Sequence, residues 1–232
     1  MISIGILETG QPPPDLKARF GGYAAMFERL LGPDFATRTY DVVNGDYPET
    51  VEAHDGYLVT GSPAGTYDGH AWIADLKAFL RQAKGRARLV GICFGHQIMA
   101  EAFGGRVTRS ERGWGVGLQR YELWEPQPWM ADLAPFSIAV SHQDQIVEPP
   151  PAARIVGGNA FSPFGMLAYQ DQPALSFQCH PEFEPAFAKA LIESRHARLP
   201  DPDAALASFD EPDDRARVAG WIRDFLRAGL AA

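Results

Sequence analysis

The sequence predicts an α/β protein: an open, mostly parallel central sheet with helices on both faces, an additional small β region and a C-terminal helix. Three observations carry this. Short apolar runs alternate with amphipathic helical patterns through the first hundred residues, the signature of βαβ units. Residues 106–170 then switch to short β-like runs with Gly and Pro punctuation. Finally, a single apolar stripe at helical spacing closes the chain, with Val218, Trp221, Ile222, Phe225 and Leu226 on one face.

The elements follow in order. Ile2 to Leu7 is an apolar strand ended by Glu8-Thr9-Gly10, after which Pro12-Pro13-Pro14 forces an extended connection. Asp15 is the candidate N-cap of a helix with Leu16, Phe20, Tyr23, Phe27 and Leu30 on one face, running to Gly32. A β-leaning run over 35–43 precedes a strand over 55–60, which enters Gly61-Ser62-Pro63-Ala64-Gly65. The spacing of Ile73, Leu76, Phe79 and Leu80 predicts a helix over 71–84, and 87–92 is an apolar strand leading straight into a helix through Ile98, Met99 and Phe103. A strand over 174–179 and a helix over 184–195 follow. The Pro- and Asp-rich stretch 199–214 reads as a short linker, and Asp213-Asp214 opens the last helix. The chain divides into a domain over 1–195 and, over 196–232, a linker and C-terminal helix packed on that same domain.

Composition narrows the function. The 232 residues carry 21 Lys and Arg against 29 Asp and Glu, a formal charge of −8, which argues against a nucleic-acid partner. No apolar run approaches the ~18 residues that span a bilayer, so no membrane partner is expected. Two cysteines cannot make a disulfide framework or a four-cysteine zinc site. No cofactor or metal is called for, and a reducing cytoplasm is the expected location.

The chemistry concentrates in two places. Gly91-Ile92-Cys93-Phe94-Gly95-His96-Gln97 sits where an apolar strand turns directly into a helix, a nucleophile elbow with Cys as the nucleophile. Glycines two residues before and after it let neighbouring backbone pass close by. The turn sets the Cys93 sulfur at a helix N-terminus, where the dipole favours a thiolate, and points the Phe94 N–H into the same space as an oxyanion donor. Far downstream, Gln178-Cys179-His180-Pro181-Glu182 ends a strand. His180 is the candidate base and Glu182 its orienting group. Alternation along the strand turns Cys179 to the opposite face, as a packing residue. A metal reading of His180 and Glu182 fails for want of further ligands. His96 reads as a satisfied histidine beside the site, and Gly113-Trp114-Gly115-Val116-Gly117 as a turn entering a strand, since it lacks the spacing of a nucleotide loop.

With these residues in order Cys, His, Glu, the chain resembles the class I (triad) glutamine amidotransferase family over about residues 2 to 190. The Gly-Ile-Cys-Phe-Gly-His-Gln and His-Pro-Glu motifs carry the likeness, with looser matches at Thr60-Gly61-Ser62-Pro63 and Ser141-His142-Gln143-Asp144. The resemblance implies Gly61 as the second oxyanion donor beside Phe94, and Gln97, Ser141, His142 and Asp144 as substrate-binding residues, with His142 in the substrate shell and not a second base. It further implies a glutaminase-type reaction through a γ-glutamyl thioester on Cys93, with glutamine or a γ-glutamyl compound as the small-molecule substrate. The family pairs such a domain with an ammonia-accepting synthase, so the chain either docks on a separate synthase subunit or acts alone as a γ-glutamyl peptidase. A silent glutaminase-like binding or regulatory domain is the non-enzyme alternative; Phe94 speaks against the related cysteine peptidases, in which His typically follows the Cys.

Overall fold

Residues 1–228 are described in the computed structural model of the chain. The strands are β1 (Ile2–Glu8), β2 (Phe35–Asp41), β3 (Gly56–Val59), β4 (Arg88–Ile92), β5 (Arg106–Arg109), β6 (Gly115–Leu123), β7 (Phe136–His142), β8 (Asp144–Glu148), β9 (Ala153–Gly158), β10 (Met166–Tyr169) and β11 (Ala174–Phe177). The α-helices are α1 (Pro14–Phe20), α2 (Tyr23–Leu31), α3 (Ala71–Ala83), α4 (Phe94–Ala102), α5 (Pro185–Ser194), α6 (Pro202–Ala207) and α7 (Arg215–Arg227). The main sheet runs β2-β1-β3-β4-β11-β10-β9-β6-β7. Its first five strands are mutually parallel and the remaining pairings antiparallel. Most of the β-rich middle of the chain thus extends the central sheet, and a separate two-stranded sheet is left to β5 and β8.

Alternation along the parallel strands divides the core between the two faces. Leu58, Val90, Ile92, Leu175 and Phe177 pack with Phe27 and Leu31 of α2 and with Trp221, Ile222 and Phe225 of α7. Their neighbours Tyr57, Val59, Leu89 and Ala174 pack with Ile73, Leu76 and Leu80 of α3 and Ile98 and Met99 of α4. Burying each such side chain contributes about 1.5–3 kcal/mol, so strands covered on both faces read as continuous apolar runs. The last helix belongs to this core: Trp221 meets Phe136 edge to face at 5.3 Å.

Three local readings change. The stripe from Leu16 to Leu30 is two helices, because Gly21 takes a left-handed φ of 87° and breaks it. A buried carboxylate fixes the break: Glu8 Oε1 accepts from the Ala24 N–H at 3.0 Å and so caps α2 from the end of β1. A Cβ on Gly22 would lie 2.8 Å from Gln11 Oε1 and 3.3 Å from Glu8 Oε1, so a side chain there would have to displace the end of Gln11. Asp15 is not the cap of α1; Pro13 holds that position and Asp15 lies in the first turn. The stretch read as a linker contains α6, capped by Asp201, whose side chain accepts from the Ala204 N–H. Leu199 and Ala205 are buried, and Ser208 Oγ accepts from the Leu118 N–H of β6 at 2.8 Å. Gly117, left-handed at φ 86°, lies against Ala205 and Ser208.

The connection β1–β2 moves to one side of β1, and the chain then returns to place β3 on the other. The carboxyl ends of β1 and β3 flank that switch point, where ligand crevices form in open α/β sheets. Thr9, Thr60-Gly61, Cys93 and His180 all follow strands at this edge.

Candidate active site

Cys93 joins β4 to α4 with φ 53° and ψ −102°, the one non-glycine residue with positive φ among the described residues. Such a conformation costs about 1–3 kcal/mol and persists where its surroundings over-determine it. Here the Cys93 N–H donates to Phe177 O of β11 at 2.8 Å, and the Gly95 N–H donates to Thr60 O at 3.1 Å. Both flanking glycines are required sterically. A Cβ on Gly91 would lie 2.5 Å from Gly95 O, and one on Gly95 would lie 2.3 Å from Val59 O. The Phe94 N–H, at the start of α4, has no protein acceptor among the described residues.

His180 follows β11, its N–H donating to Ala139 O of β7 at 2.9 Å. Nδ1 lies 2.7 Å from Glu182 Oε1, and His180 and Cys93 both border the same cleft. The imidazole stacks on Phe183 with ring centres 3.9 Å apart and planes 6° apart. Burial opposes a charge on His180, but Glu182 and Cys93 outweigh it and raise its pKa above the ordinary histidine value. An imidazolium between a carboxylate and a thiol is the arrangement that supports a thiolate nucleophile. Cys93, His180 and Glu182 are each at least 94% buried.

Gly61 closes the fourth side: a Cβ there would lie 3.1 Å from His180 Cε1 and 3.8 Å from Cys93 Cβ. The Thr60 carbonyl accepts from Gly95 N–H and from Thr9 Oγ1, which fixes that peptide plane with the Gly61 N–H directed the opposite way. The single Thr9 hydroxyl proton is shared between Thr60 O, at 3.1 Å, and Gly61 O, at 2.9 Å, and the Thr9 N–H donates to Thr60 Oγ1 at 3.0 Å.

These groups open on a cleft of about 380 Å³, whose lining includes Gly61, Cys93, Gln97, Ser141, His142, Asp144 and His180. Gln97 Nε2 donates to Asp144 O at 2.8 Å and to Gln178 Oε1 at 3.1 Å, leaving its Oε1 for a ligand. Ser141 Oγ accepts from Arg195 Nη1 at 2.9 Å. Asp144 Oδ1 accepts from the Tyr67 hydroxyl at 2.9 Å, and burial raises its carboxyl above the usual range. His142 Nδ1 lies 3.1 Å from Asp144 O, and burial lowers its pKa to about 3, so it is neutral near pH 7. His96 lies wholly in the core with Nδ1 2.8 Å from Ser176 Oγ. Cys179 is fully buried, and burial raises its thiol well above the ordinary value. Gly115 begins β6, so Gly113–Gly117 is a turn entering a strand.

Several site residues escape the motifs. Gln178, part of the His180 cluster but given no role in it, has Nε2 3.7 Å from the Cys93 sulfur. Thr9 was marked only by ending the first strand. Phe183, Tyr23, Tyr67 and Arg195 reach the cleft through tertiary packing and carry no local signal. Among the described residues no group of three His, Cys, Asp or Glu side chains is placed to hold a metal ion, and no helix is long and apolar enough to cross a membrane.

Known proteins share this architecture. Gamma-glutamyl peptidase 2 of Arabidopsis thaliana is 28% identical over 197 residues, 80% of this chain and 79% of that protein. A glutamine amidotransferase-like protein of Schizosaccharomyces pombe is 29% identical over a 243-residue alignment covering 96% of this chain and 98% of that one. A glutamine amidotransferase from Thermotoga maritima, solved by crystallography, has the same fold, with a TM-score of 0.77 at 17% identity over 100% of this chain and 99% of that one. The family described as glutamine amidotransferase class-I matches residues 35–196, from β2 to just past α5. The chain belongs to the class-I glutamine amidotransferase family.

Proposed function

We propose that this chain is a thiol-dependent amidohydrolase that cleaves the γ-amide of glutamine or of a γ-glutamyl compound. One observation carries the reading: a strained, left-handed cysteine at a helix N-terminus faces a buried histidine whose far nitrogen is held 2.7 Å from a buried glutamate.

The Cys93 thiolate attacks the γ-carbonyl carbon, and the oxyanion forms between the N–H groups of Phe94 and Gly61. Each donor of this kind is worth about 3–4 kcal/mol in the transition state. His180, charged beside Glu182, passes its Nε2 proton to the leaving nitrogen as the C–N bond breaks, leaving a γ-glutamyl thioester. The now neutral His180 takes a proton from water, whose oxygen attacks the thioester; the C–S bond breaks and glutamate leaves. Glu182 fixes the tautomer throughout and stabilises the charged ring. Gln97, Ser141, His142 and Asp144 line the cleft where the α-amino and α-carboxylate groups of the glutamyl head would bind, Ser141 through its backbone, since its hydroxyl already accepts from Arg195.

The likeness to a protein named as a gamma-glutamyl peptidase supports a substrate with an amine leaving group. A separate ammonia-accepting synthase remains the family's other use of such a domain. The test is glutamate release from glutamine and from γ-glutamyl dipeptides by the purified protein, with Cys93→Ala as the control. Release should fall at least a thousandfold in the variant. Equal release by both proteins, or none from any substrate, would overturn the reading.

A further inference from the structure

The wall of the cleft behind His180 differs from the wall facing it. Because His180 must protonate the leaving nitrogen, whatever that nitrogen carries extends along the His180 side. Behind the imidazole stands Phe183, and behind Phe183 stands Tyr23, stacked at 6.1 Å. Tyr23, Leu191, Arg195 and Arg198 then line the cleft; Arg195 lies one turn after Leu191, at the C-terminal end of α5. The Tyr67, Asp68 and Asp144 side also holds Arg109, the cross-strand neighbour of Asp144 in the small sheet, so its charges partly offset, whereas the side of Arg195 and Arg198 has no carboxylate in the cleft lining and is the one that favours an anion.

Arg195 is held in place. One guanidinium nitrogen donates to Ser141 Oγ at 2.9 Å, and the guanidinium carbon sits 5.6 Å from the centre of the Trp114 ring. Arginines such as Arg86, Arg106, Arg217 and Arg227 pair with carboxylates, while among the described residues others, Arg109 of the same cleft included, do not. Among the described residues no carboxylate pairs with Arg195 or Arg198, in a protein with net charge −8. A planar fork fixed on two sides, with donors to spare, matches a carboxylate.

We propose that Arg195, steadied by Ser141 and Trp114, forms with Arg198 a subsite for a carboxylate on the leaving amine, so that the cleft selects γ-glutamyl peptides ending in a free carboxylate. This rests on the thiol-hydrolase reading above and names its substrate class.

Two substrates that differ in one group test it: γ-glutamylglycine and γ-glutamylglycinamide. The ratio of their kcat/KM values isolates the carboxylate, since the glutamyl head and scissile bond are the same. The native protein should favour the acid at least tenfold. Arg195→Gln and Arg198→Gln should each bring the ratio towards one, and Arg195→Lys should keep part of it. Arg198 is exposed, so its replacement leaves the core intact, and urea unfolding checks the Arg195 variants. A native ratio near one, or a ratio unchanged in both Gln variants, overturns the subsite; the second result would place Arg195 on the glutamyl head, where both substrates suffer alike. Cys93-dependent release from glutamine but from neither peptide overturns the subsite while the thiol mechanism stands. No Cys93-dependent release from any of the three overturns both.

Discussion

Gly95→Ala probes the elbow directly. The added Cβ would lie 2.3 Å from the carbonyl oxygen of Val59, 2.9 Å from its carbonyl carbon and 3.0 Å from its Cβ. These atoms belong to β3, where Val59 is fully buried, so no flexible side-chain end can swing away. Relief needs a displacement of about 1 Å between α4 and β3, and over-packing of this kind costs about 1–3 kcal/mol. The same displacement stretches the 3.1 Å bond from Gly95 N–H to Thr60 O beyond hydrogen-bonding length, at about 0.5–1.5 kcal/mol. Together the loss is about 1.5–4.5 kcal/mol. The functional cost is separate: the movement shifts Phe94, on α4, relative to Gly61, on the turn after β3. Misplacement by about 1 Å between groups that must act together costs on the order of a hundredfold in rate. Urea unfolding at unchanged m-value gives the first quantity, and glutamate release under folded conditions gives the second. Gly69→Ala is the control, because a Cβ there meets nothing within 4 Å and its φ is ordinary; it should stay within about 0.5 kcal/mol of the native protein. A Gly95→Ala protein with the native midpoint and native kcat/KM would refute the steric argument and the coupling of elbow to turn.

Two other perturbations separate the roles of the buried polar groups. Glu182→Gln preserves volume but removes the charge 2.7 Å from His180 Nδ1; kcat should fall by about 10²–10⁴. Because Glu182 helps to hold the His180 pKa up against burial, the alkaline limb of the activity profile should also move to lower pH, and an unmoved limb would remove Glu182 from that role. Stability should fall on acidification through His96 and His142, whose folded-state pKa values burial lowers to about 3. The sign follows from the unfolded chain, which takes up protons at these residues below about pH 6.5 while the folded one does not. Their contribution is therefore intact above that pH and is lost towards pH 3, at up to about 1.4 kcal/mol per pH unit for each histidine. His96→Asn should flatten the slope of unfolding free energy in that window; an identical slope would contradict it.

What the sequence disclosed, and what it withheld, follows from the range of each interaction. The elbow was legible because Gly91, Cys93 and Gly95 form one pattern within five residues, even though the clash that requires Gly95 comes from Val59 on a neighbouring strand. The pairing of His180 with Glu182 spans only two. The helix over 15–32 was misread because its break depends on Glu8, sixteen residues from the Ala24 N–H that it caps; hydrophobic periodicity is blind to a cap supplied by another element. The runs over 106–170 showed strand character, but alternation does not say which strands pair, and the antiparallel extension of the sheet is set by contacts across the fold. Stretch 199–214 looked like a linker from its Pro and Asp content, whereas Asp201 caps a helix there and Ser208 binds the β6 backbone. Arg195 carries no motif; it meets Ser141 across 54 residues.

The strain at Cys93 is what binds these pieces into one geometry. A relaxed cysteine on a helix would leave the sulfur, the His180 ring and the Phe94 and Gly61 N–H groups free to drift independently. Here the Cys93 N–H is tied to β11, the strand that leads to His180, and the Gly95 N–H is tied to the Thr60 carbonyl, in the turn that presents Gly61. Cys93 therefore hangs between the two groups it is proposed to act with, each one strand away at a spacing of about 4.8 Å set by the sheet itself. Thr9 extends the same restraint to β1, clasping the Thr60 and Gly61 carbonyls from the far side. The left-handed backbone at Cys93, costing about 1–3 kcal/mol, is sustained by hydrogen bonds to both neighbours at once. The distances on which the proposed chemistry depends are thereby fixed by backbone pairing, leaving the outer wall of the cleft, with Arg195 and Trp114, to differ in side chains without disturbing them.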